Sequence, residues 1–308
     1  MSQQHKKTEA PKKGFVSWYK QHYKMFLFIP LVLFIISLGF VVKVFIQEGT
    51  PIYRDISLKG GLSASVFVSS SVSISEFENA LAKQFPQGEF AVSELSNKNE
   101  RSGFLIETNV DEKQLISFLN SYFKVAFESG KNYSSNFISS TLSSSFFEQA
   151  ALILLISFAL MSIVIFIAFK EFVPSGLVVL SAIFDILGTI GILNMLHHPV
   201  SVAGIGALLM LIGYSVDTDV LLTNRLIKEK DSHTSYWDKF FTAFKTGQLM
   251  LTTTFVACSG AYLLSNSAVI KEIALIIIIG LVIDSISTWI QNAGMLMWWL
   301  EKKGEKLD

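Results

Sequence analysis

The sequence is short of two things that soluble proteins normally carry. Charged residues make up only 16% of its 308 positions, against about 25% in an average soluble domain. Cysteine occurs once, at Cys258, which excludes an intrachain disulfide and any cage built from cysteines. Net charge is also missing: 25 Lys plus Arg balance 25 Asp plus Glu, so no overall basic field argues for nucleic acid. What fills the chain instead is apolar: 51% of residues are hydrophobic. A surface with so little charge cannot face water everywhere, which excludes disordered, collagenous and ordinary cytosolic classes and points to a protein embedded in a membrane.

Crossing roughly 30 Å of hydrocarbon takes about 20 apolar residues in a helix. Six stretches qualify, at 25–46, 146–169, 172–195, 200–222, 249–264 and 273–296. Pro174 stands in the first turn of the third, where its missing N–H costs nothing. The fifth is diluted by Thr252, Thr253, Thr254, Ser259 and Gly260, residues that bundle interiors accept. The first span is too long for a signal-peptide core and no small-x-small cleavage site follows it, so it is expected to stay as an anchor.

Lysine and arginine set the orientation. Lys6, Lys7, Lys12, Lys13, Lys20 and Lys24 precede the first span. Arg225, Lys228, Lys230, Lys239 and Lys245 lie between the fourth and fifth, and Lys302, Lys303 and Lys306 follow the sixth. With six spans all three clusters share one side, the cytoplasm. The expected plan is a basic cytoplasmic tail (1–24), an extracytoplasmic domain (47–145), spans two to six within 146–300 with a cytoplasmic loop at 223–248, and a cytoplasmic tail (301–308). Trp237 to Phe244 is aromatic and basic and is expected to be an amphipathic helix on the cytoplasmic membrane surface. Phe172, Trp298 and Trp299 sit near span ends as interface anchors.

A hundred residues between spans one and two are too many for an unstructured loop. Leu62–Val68 alternates as a strand. Ser75-Glu-Phe-Glu78 is a capping box opening a helix to Phe85, with Phe77, Leu81 and Phe85 on one face. Phe90–Leu95 and Phe104–Thr108 are strands around a turn at Asn97-Lys-Asn99. Asn109 or Asp111 can cap a helix carrying Leu115, Phe118, Leu119 and Tyr122, and Tyr133–Ser139 is extended. The order β-α-β-β-α-β is the ferredoxin-like split pattern. The domain has no His and no Cys, and is expected to bind or dock rather than catalyse.

A charge at the bilayer centre costs roughly 2.5–3.5 kcal/mol on insertion scales. Four aspartates fall inside spans: Asp185, Asp217, Asp219 and Asp284. Gly280, Asp284, Ser287 and Gln291 recur at helical spacing and form a polar stripe that must face the bundle interior. Ser181, Gly188 and Ile192 leave one flank around Asp185 small. Asp217 and Asp219 lie about 200° apart on a helix and cannot share a face; one would point to the bundle, the other toward the cytoplasmic interface near Arg225. Two readings stand: neutral carboxyls hydrogen-bonded across helices, or a proton pathway. Gly188-Thr-Ile-Gly191 and Gly204-Ile-Gly206 are close-packing positions rather than nucleotide loops, since no strand precedes them. His197-His198-Pro199 is an outer turn, and no metal or cofactor is expected.

Leu211-Ile-Gly213-Tyr214-Ser215-Val-Asp217-Thr-Asp219-Val-Leu-Leu-Thr-Asn-Arg225 resembles the signature segment of the SecF family, the smaller half of the SecDF protein-export complex, in its archaeal form. Asp55-Ile-Ser-Leu-Lys-Gly60-Gly61 is similar to the family's glycine-pair motif after the first span. Phe184-Asp185 stands where the family usually has His-Asp, and Thr246–Thr254 is similar to its Thr-rich fifth span. The resemblance covers nearly the whole chain except the N-terminal tail and most of the outer domain. It implies six membrane helices of RND/SecDF type, a SecD-type partner, the Sec translocation channel and a translocating polypeptide as further partners, and proton or sodium flow as the driving force. Ion binding is then expected at Asp217 or Asp219, with Asp185 and Asp284 as relays. Where the bacterial motif has Asn-Asp, this chain has Asp217-Thr218, and the histidine before Asp185 is absent.

The alternatives belong to other classes. Half of an RND-type small-molecule exporter would also need a partner half. An intramembrane aspartyl protease would pair Asp185 with Asp217, but the Gly-x-Gly-Asp motif and the Pro-Ala-Leu segment are missing. A purely structural assembly subunit would leave the aspartates dispensable. The chain is not expected to be an enzyme.

Overall fold

The computed structural model describes residues 15–68, 72–97, 100–229, 234–265 and 267–307. Six of its helical stretches are long and apolar enough to cross a membrane: Tyr19–Glu48, Leu142–Phe169, Phe172–Met195, Val202–Ile227, Tyr236–Leu264 and Ala268–Lys302. The chain is a multi-pass membrane protein with a small α+β domain inserted after the first crossing.

The first crossing is two helices, α1 (Phe15–Phe26) and α2 (Phe28–Glu48), with a break at Leu27. Pro30 explains the break, since it has no N–H for the Phe26 carbonyl and its ring crowds that oxygen. The end of the stretch expected as a basic tail is helical from Phe15 onward. Its aromatic face packs on the far end of the bundle, where Tyr19 stacks on Phe240 and Tyr23 meets Trp237 edge-on. Lys6, Lys7, Lys12 and Lys13, and Lys230 further on, lie outside the described residues.

The outer domain begins with a one-turn helix, α3 (Ile56–Lys59), followed by β1 (Gly61–Phe67), α4 (Ile74–Gln84), β2 (Phe90–Asn97), β3 (Glu100–Thr108), α5 (Glu112–Phe123) and β4 (Tyr133–Ile138). The sheet order is β2-β3-β1-β4, with every neighbouring pair antiparallel. This is the split β-α-β arrangement expected from the strand and helix order. Leu62, Ala64, Val66, Phe104 and Ile106 point to one face and are sealed by Phe77 and Leu81 of α4 and Leu115 and Leu119 of α5. The capping residue of α4 is Ser73, not Ser75: Ser73 is extended, and its hydroxyl accepts from the Glu76 N–H at 3.2 Å. Glu78 instead reaches the Val92 N–H at 3.4 Å. At α5 the two capping choices divide the work. Asp111 accepts from Lys113 N–H at 2.9 Å, while Asn109 accepts from Glu89 N–H at 2.9 Å. Residues 98 and 99 of the expected Asn97–Asn99 turn lie outside the described residues.

The remaining crossings are α6 (Ser140–Phe169), α7 (Phe172–Met195), α8 (Val202–Ile227), α9 (Tyr236–Leu264) and α10 (Ala268–Ile286), the last running through a π-turn at Ser287–Asn292 into α11 (Ala293–Lys302). Helices α7, α8 and α10 form the buried heart of the bundle, while α6 and α9 keep most of their surface outward. Two expectations are corrected here. The segment Trp237–Phe244 is not a separate surface helix but the first turns of α9, because nothing between Phe244 and Leu249 breaks a helix. Its Trp237 and Phe240 are buried against Tyr23 and Trp289. The loop expected at 223–248 shrinks accordingly, since α8 runs on to Ile227 and α9 starts at Tyr236. Glycines set the approach of the helices: a Cβ on Gly188 would lie 2.8 Å from Ile283, and one on Gly280 would collide with Leu211. Gly191 and Gly204 are likewise tight, against Ser37 and Glu272, whereas Gly206 faces open space.

Candidate functional site

Helical spacing brings one polar face from each central helix to the same place. On α8, Ser215, Thr218, Asp219 and Leu222 recur at three- and four-residue intervals and are buried, as are Asp185 on α7 and Asp284 on α10. The π-turn adds to this face. An α-helix would send part of Ser287, Thr288, Trp289, Gln291 and Asn292 outward, but the wider turn buries all five, a distortion that recurs at functional sites.

The three carboxyls are at most 1% exposed and are held by neutral donors. Asp185 accepts from the hydroxyls of Ser215 and Ser287, one on each oxygen. Asp284 Oδ1 lies 3.0 Å from Thr288 Oγ1 and 3.2 Å from Thr218 Oγ1. Asp219 Oδ1 accepts from Asn292 Nδ2 at 2.7 Å, and its Oδ2 has no partner among the described residues. Ser215 and Thr218, one turn apart on α8, thus touch Asp185 and Asp284 respectively, while Ser287 and Thr288 touch the same two carboxyls from the opposite side. The result is not a cage: Asp185 and Asp284 each meet two hydroxyls and Asp219 an amide, and among the described residues no three His, Cys, Asp or Glu side chains converge enough to hold a metal ion. No lysine, arginine or histidine among the described residues forms an ion pair with any of the three. Bare buried anions without a counter-charge cost several kcal/mol each, so the arrangement is suited to taking up and passing positive charge.

A second set of contacts fastens the outer domain to the other end of the bundle. Arg54 and Val200, in the turn between α7 and α8, form a parallel bridge. Asp55 N–H donates to Val200 O at 3.0 Å, and Val200 N–H to Tyr53 O at 2.8 Å. Asn194 Nδ2 donates to Pro51 O at 2.9 Å. Ser201 caps α8 and donates to Glu272 of α10 through its N–H at 2.8 Å and its hydroxyl at 2.6 Å. The glycine pair then turns the chain into the sheet. Gly60 sits at φ +88°, a value that favours glycine, and a Cβ on Gly61 would lie 2.7 Å from the Thr108 carbonyl oxygen. Between the helix-free face of the sheet and the ends of α8 and α10 runs a cleft of about 560 Å³. In that cleft burial pushes the Glu107 carboxyl up to about 7, with the negative charges of Asp55 and Glu272 adding to the effect.

Residues 119–302 match the family described as Protein export membrane protein SecD/SecF, C-terminal. The chain belongs to the SecD/SecF family. It is 34% identical to the protein-export membrane protein SecF of Methanolacinia petrolearia over 285 residues, covering 92% of this chain and 95% of that one. It is 31% identical to the protein of the same description from Pyrococcus furiosus, covering 92% and 93% of the two chains. Among solved structures it shares the fold of SecDF from Thermus thermophilus, a translocon-associated membrane protein. The TM-score is 0.68 at 17% identity over 91% of this chain, which spans 38% of the SecDF chain.

Within this SecD/SecF chain the signature segment on α8 splits by face. Ser215 and Asp219 enter the carboxyl network, whereas Gly213 and Asp217 are exposed on the outside of the bundle. Tyr214 accepts a hydrogen bond from Thr254 Oγ1 at 2.9 Å, tying α8 to the Thr-rich stretch within α9. Arg225 pairs with Glu229 at 2.8 Å and meets none of the aspartates. The protease-like pairing of Asp185 with Asp217 does not form, because the two face away from each other. Asp55, Gly60 and Gly61 belong to the outer junction and not to the carboxyl network. Thr218, Thr288 and Asn292 are site residues beyond those expected; Thr288 and Asn292 stand one and two turns after Asp284, a spacing that is a signal for them, while Thr218 adjoins Asp219 and falls one turn after Ser215. Glu272 and Glu107 had none, since they meet only through the fold.

Proposed function

We propose that this chain is the SecF-type half of an accessory complex of the Sec translocase. It pairs with a SecD-type half and uses proton or sodium flow through the buried carboxyls to help move polypeptides across the membrane. The observation that carries this reading is the buried group of Asp185, Asp284 and Asp219, which has no ion-pair partner among the described residues and lies on the same helices to which the outer domain is fastened. Uptake of a positive charge at Asp219, whose second oxygen is free, alters the hydrogen bonds that hold α8 against the π-turn. Asp185 and Asp284 relay the charge. Because α8 is capped by Ser201 on Glu272 and α3 is bonded to the turn before it, a shift of α8 against α10 is passed to the sheet. Moving one charge through 100 mV supplies about 2.3 kcal/mol, enough to bias two such arrangements.

Asp217, an acid on the outward face of a membrane helix, marks the side that the SecD-type half covers. With the basic clusters inside, both termini lie in the cytoplasm and the α+β domain outside the cell membrane, where emerging polypeptide is met.

The test is an export assay on cells carrying single Asn variants. Asp219→Asn, Asp185→Asn and Asp284→Asn are expected to lower export stimulation about tenfold or more with normal protein levels. Undiminished export in Asp217→Asn and Asp219→Asn together overturns the reading, and leaves the chain as an assembly subunit.

A further inference from the structure

A groove on the basic end of the bundle is used neither by the carboxyl network nor by the outer junction. It lies between α1, the start of α9 and the end of α10, and has a volume of about 670 Å³, within the roughly 300–1,000 Å³ typical of small-molecule sites. Phe26, Ile29, Phe241, Phe244 and Ile286 line it. It persists because Gly247 lets the Trp289 ring lie flat against α9: a Cβ there would overlap the ring. At its mouth stands Lys245, exposed and without an ion-pair partner among the described residues. Trp289, only 3% exposed, also lines the groove, and its indole N–H is buried without a hydrogen-bond partner among the described residues.

Three observations identify the occupant. The groove opens toward lipid, since Met25 and Phe28 beside it are more than half exposed on helices that cross the membrane. Lys245 stands at the membrane boundary: 19 residues separate it from Leu264 at the other end of α9, roughly 28 Å of helix, close to the ~30 Å hydrocarbon thickness. A second cation, Lys20 of α1, stands at the same end over the Trp237 ring, as suits an anionic headgroup.

We infer that this groove binds one anionic phospholipid, with an acyl chain along the aromatic wall and the headgroup phosphate on Lys245. Lipid held here bridges α1, α9 and α10 and ties the first crossing to the helix that carries Asp284. The fourteen residues before α1 hold four lysines and, apart from Met1, no large apolar side chain, so the chain's own tail does not match the wall.

The test uses the full-length protein in two ways. In native mass spectrometry after exchange with phosphatidylglycerol or phosphatidylcholine of the same chains, the wild type is expected to retain phosphatidylglycerol preferentially. Lys245→Glu should weaken that retention about tenfold, while Lys302→Glu, a charge reversal at the same end but away from the groove, leaves it unchanged. Equal retention of both lipids, or equal loss in both variants, overturns the proposal. In membranes, p-benzoylphenylalanine in place of Phe241 should give on irradiation an adduct with the mass of a phospholipid. An adduct to a second copy, to another protein or to residues 1–14 overturns it as well.

Discussion

The two cores of this molecule are built on opposite rules. In the outer domain, Phe77, Phe104, Leu81, Leu119 and their neighbours are sealed between helices and sheet, and the buried side chains there are apolar or aromatic except for Thr108. In the bundle, the interior holds Asp185, Asp219 and Asp284 with Ser, Thr and Asn around them, while Leu155, Ile163, Val256 and Leu263 face outward. Water expels apolar surface into the first core. Lipid offers no such drive, so helices in the second associate through close packing and hydrogen bonds. The bundle can therefore keep ionisable groups inside at the cost of polar company for each, which the outer domain does not do. Asp217 is the exception to the second rule, exposed on the outside of a membrane helix; Thr252 and Thr253, also outside, return their hydroxyls to the Gln248 and Leu249 carbonyls at 2.7 Å.

The comparison breaks most sharply if a core residue of the outer domain is emptied. Phe104→Ala removes a fully buried ring that touches Phe77 and Phe123 and is expected to cost about 3–5 kcal/mol. Hydrogen exchange should then show the sheet opening while the amides of α7, α8 and α10 keep their protection. Loss of protection in both regions at once would mean that the junction makes them one cooperative unit.

A smaller effect is expected from the packing rule in the bundle. Gly280→Leu forces a side chain into the space held by Leu211, and overpacking of this kind costs about 1–3 kcal/mol. Because α10 is pushed from α8 just one turn before Asp284, the variant should lose export stimulation while its outer domain melts normally. Gly206→Leu, on the open face of α8, is the control within the chain; if it alone impairs export, the partner half covers that face.

How much of this was legible in the residues depends on range. Periodicity of two and of 3.6 marked the strands, the helices and the six crossings, because those patterns record a local choice of face. The buried stripe of Asp284, Ser287 and Gln291 was legible for the same reason, and so was the split of Asp217 from Asp219 onto different faces. Which of the two faces inward was not, since that depends on where α7 and α10 lie. The π-turn escaped notice because Ser-Thr-Trp-Ile-Gln-Asn carries no signal for a widened helix; it is imposed by the side chains that must be accommodated inside. Trp237–Phe244 looked amphipathic because its outward partner surface, Tyr19 and Tyr23 of α1, comes from more than two hundred residues away. The same distance hid the Arg54–Val200 bridge and the meeting of Glu107 with Glu272.

That meeting provides the smallest of the expected effects and the one that probes the boundary between the two cores. Glu107 titrates near 7 in the folded protein instead of near 4.5, so between those values the folded state holds a proton that the unfolded chain has released. Stability should then fall as pH rises from about 4.5 to about 7, with the deficit complete above that range. The full shift would correspond to about 3 kcal/mol, but Glu107 is only partly buried, and screening by solvent reduces this to about 1 kcal/mol. Denaturant melts of the outer domain at pH 5 and pH 8 should show the wild type weaker at the higher pH, and Glu107→Gln should remove that part of the difference. Asp55→Asn should remove a smaller part, since burial is the larger cause and the Asp55 charge the second. If Glu107→Gln leaves the pH difference unchanged, the cleft does not stay closed around this carboxyl, and the sheet is free of the bundle.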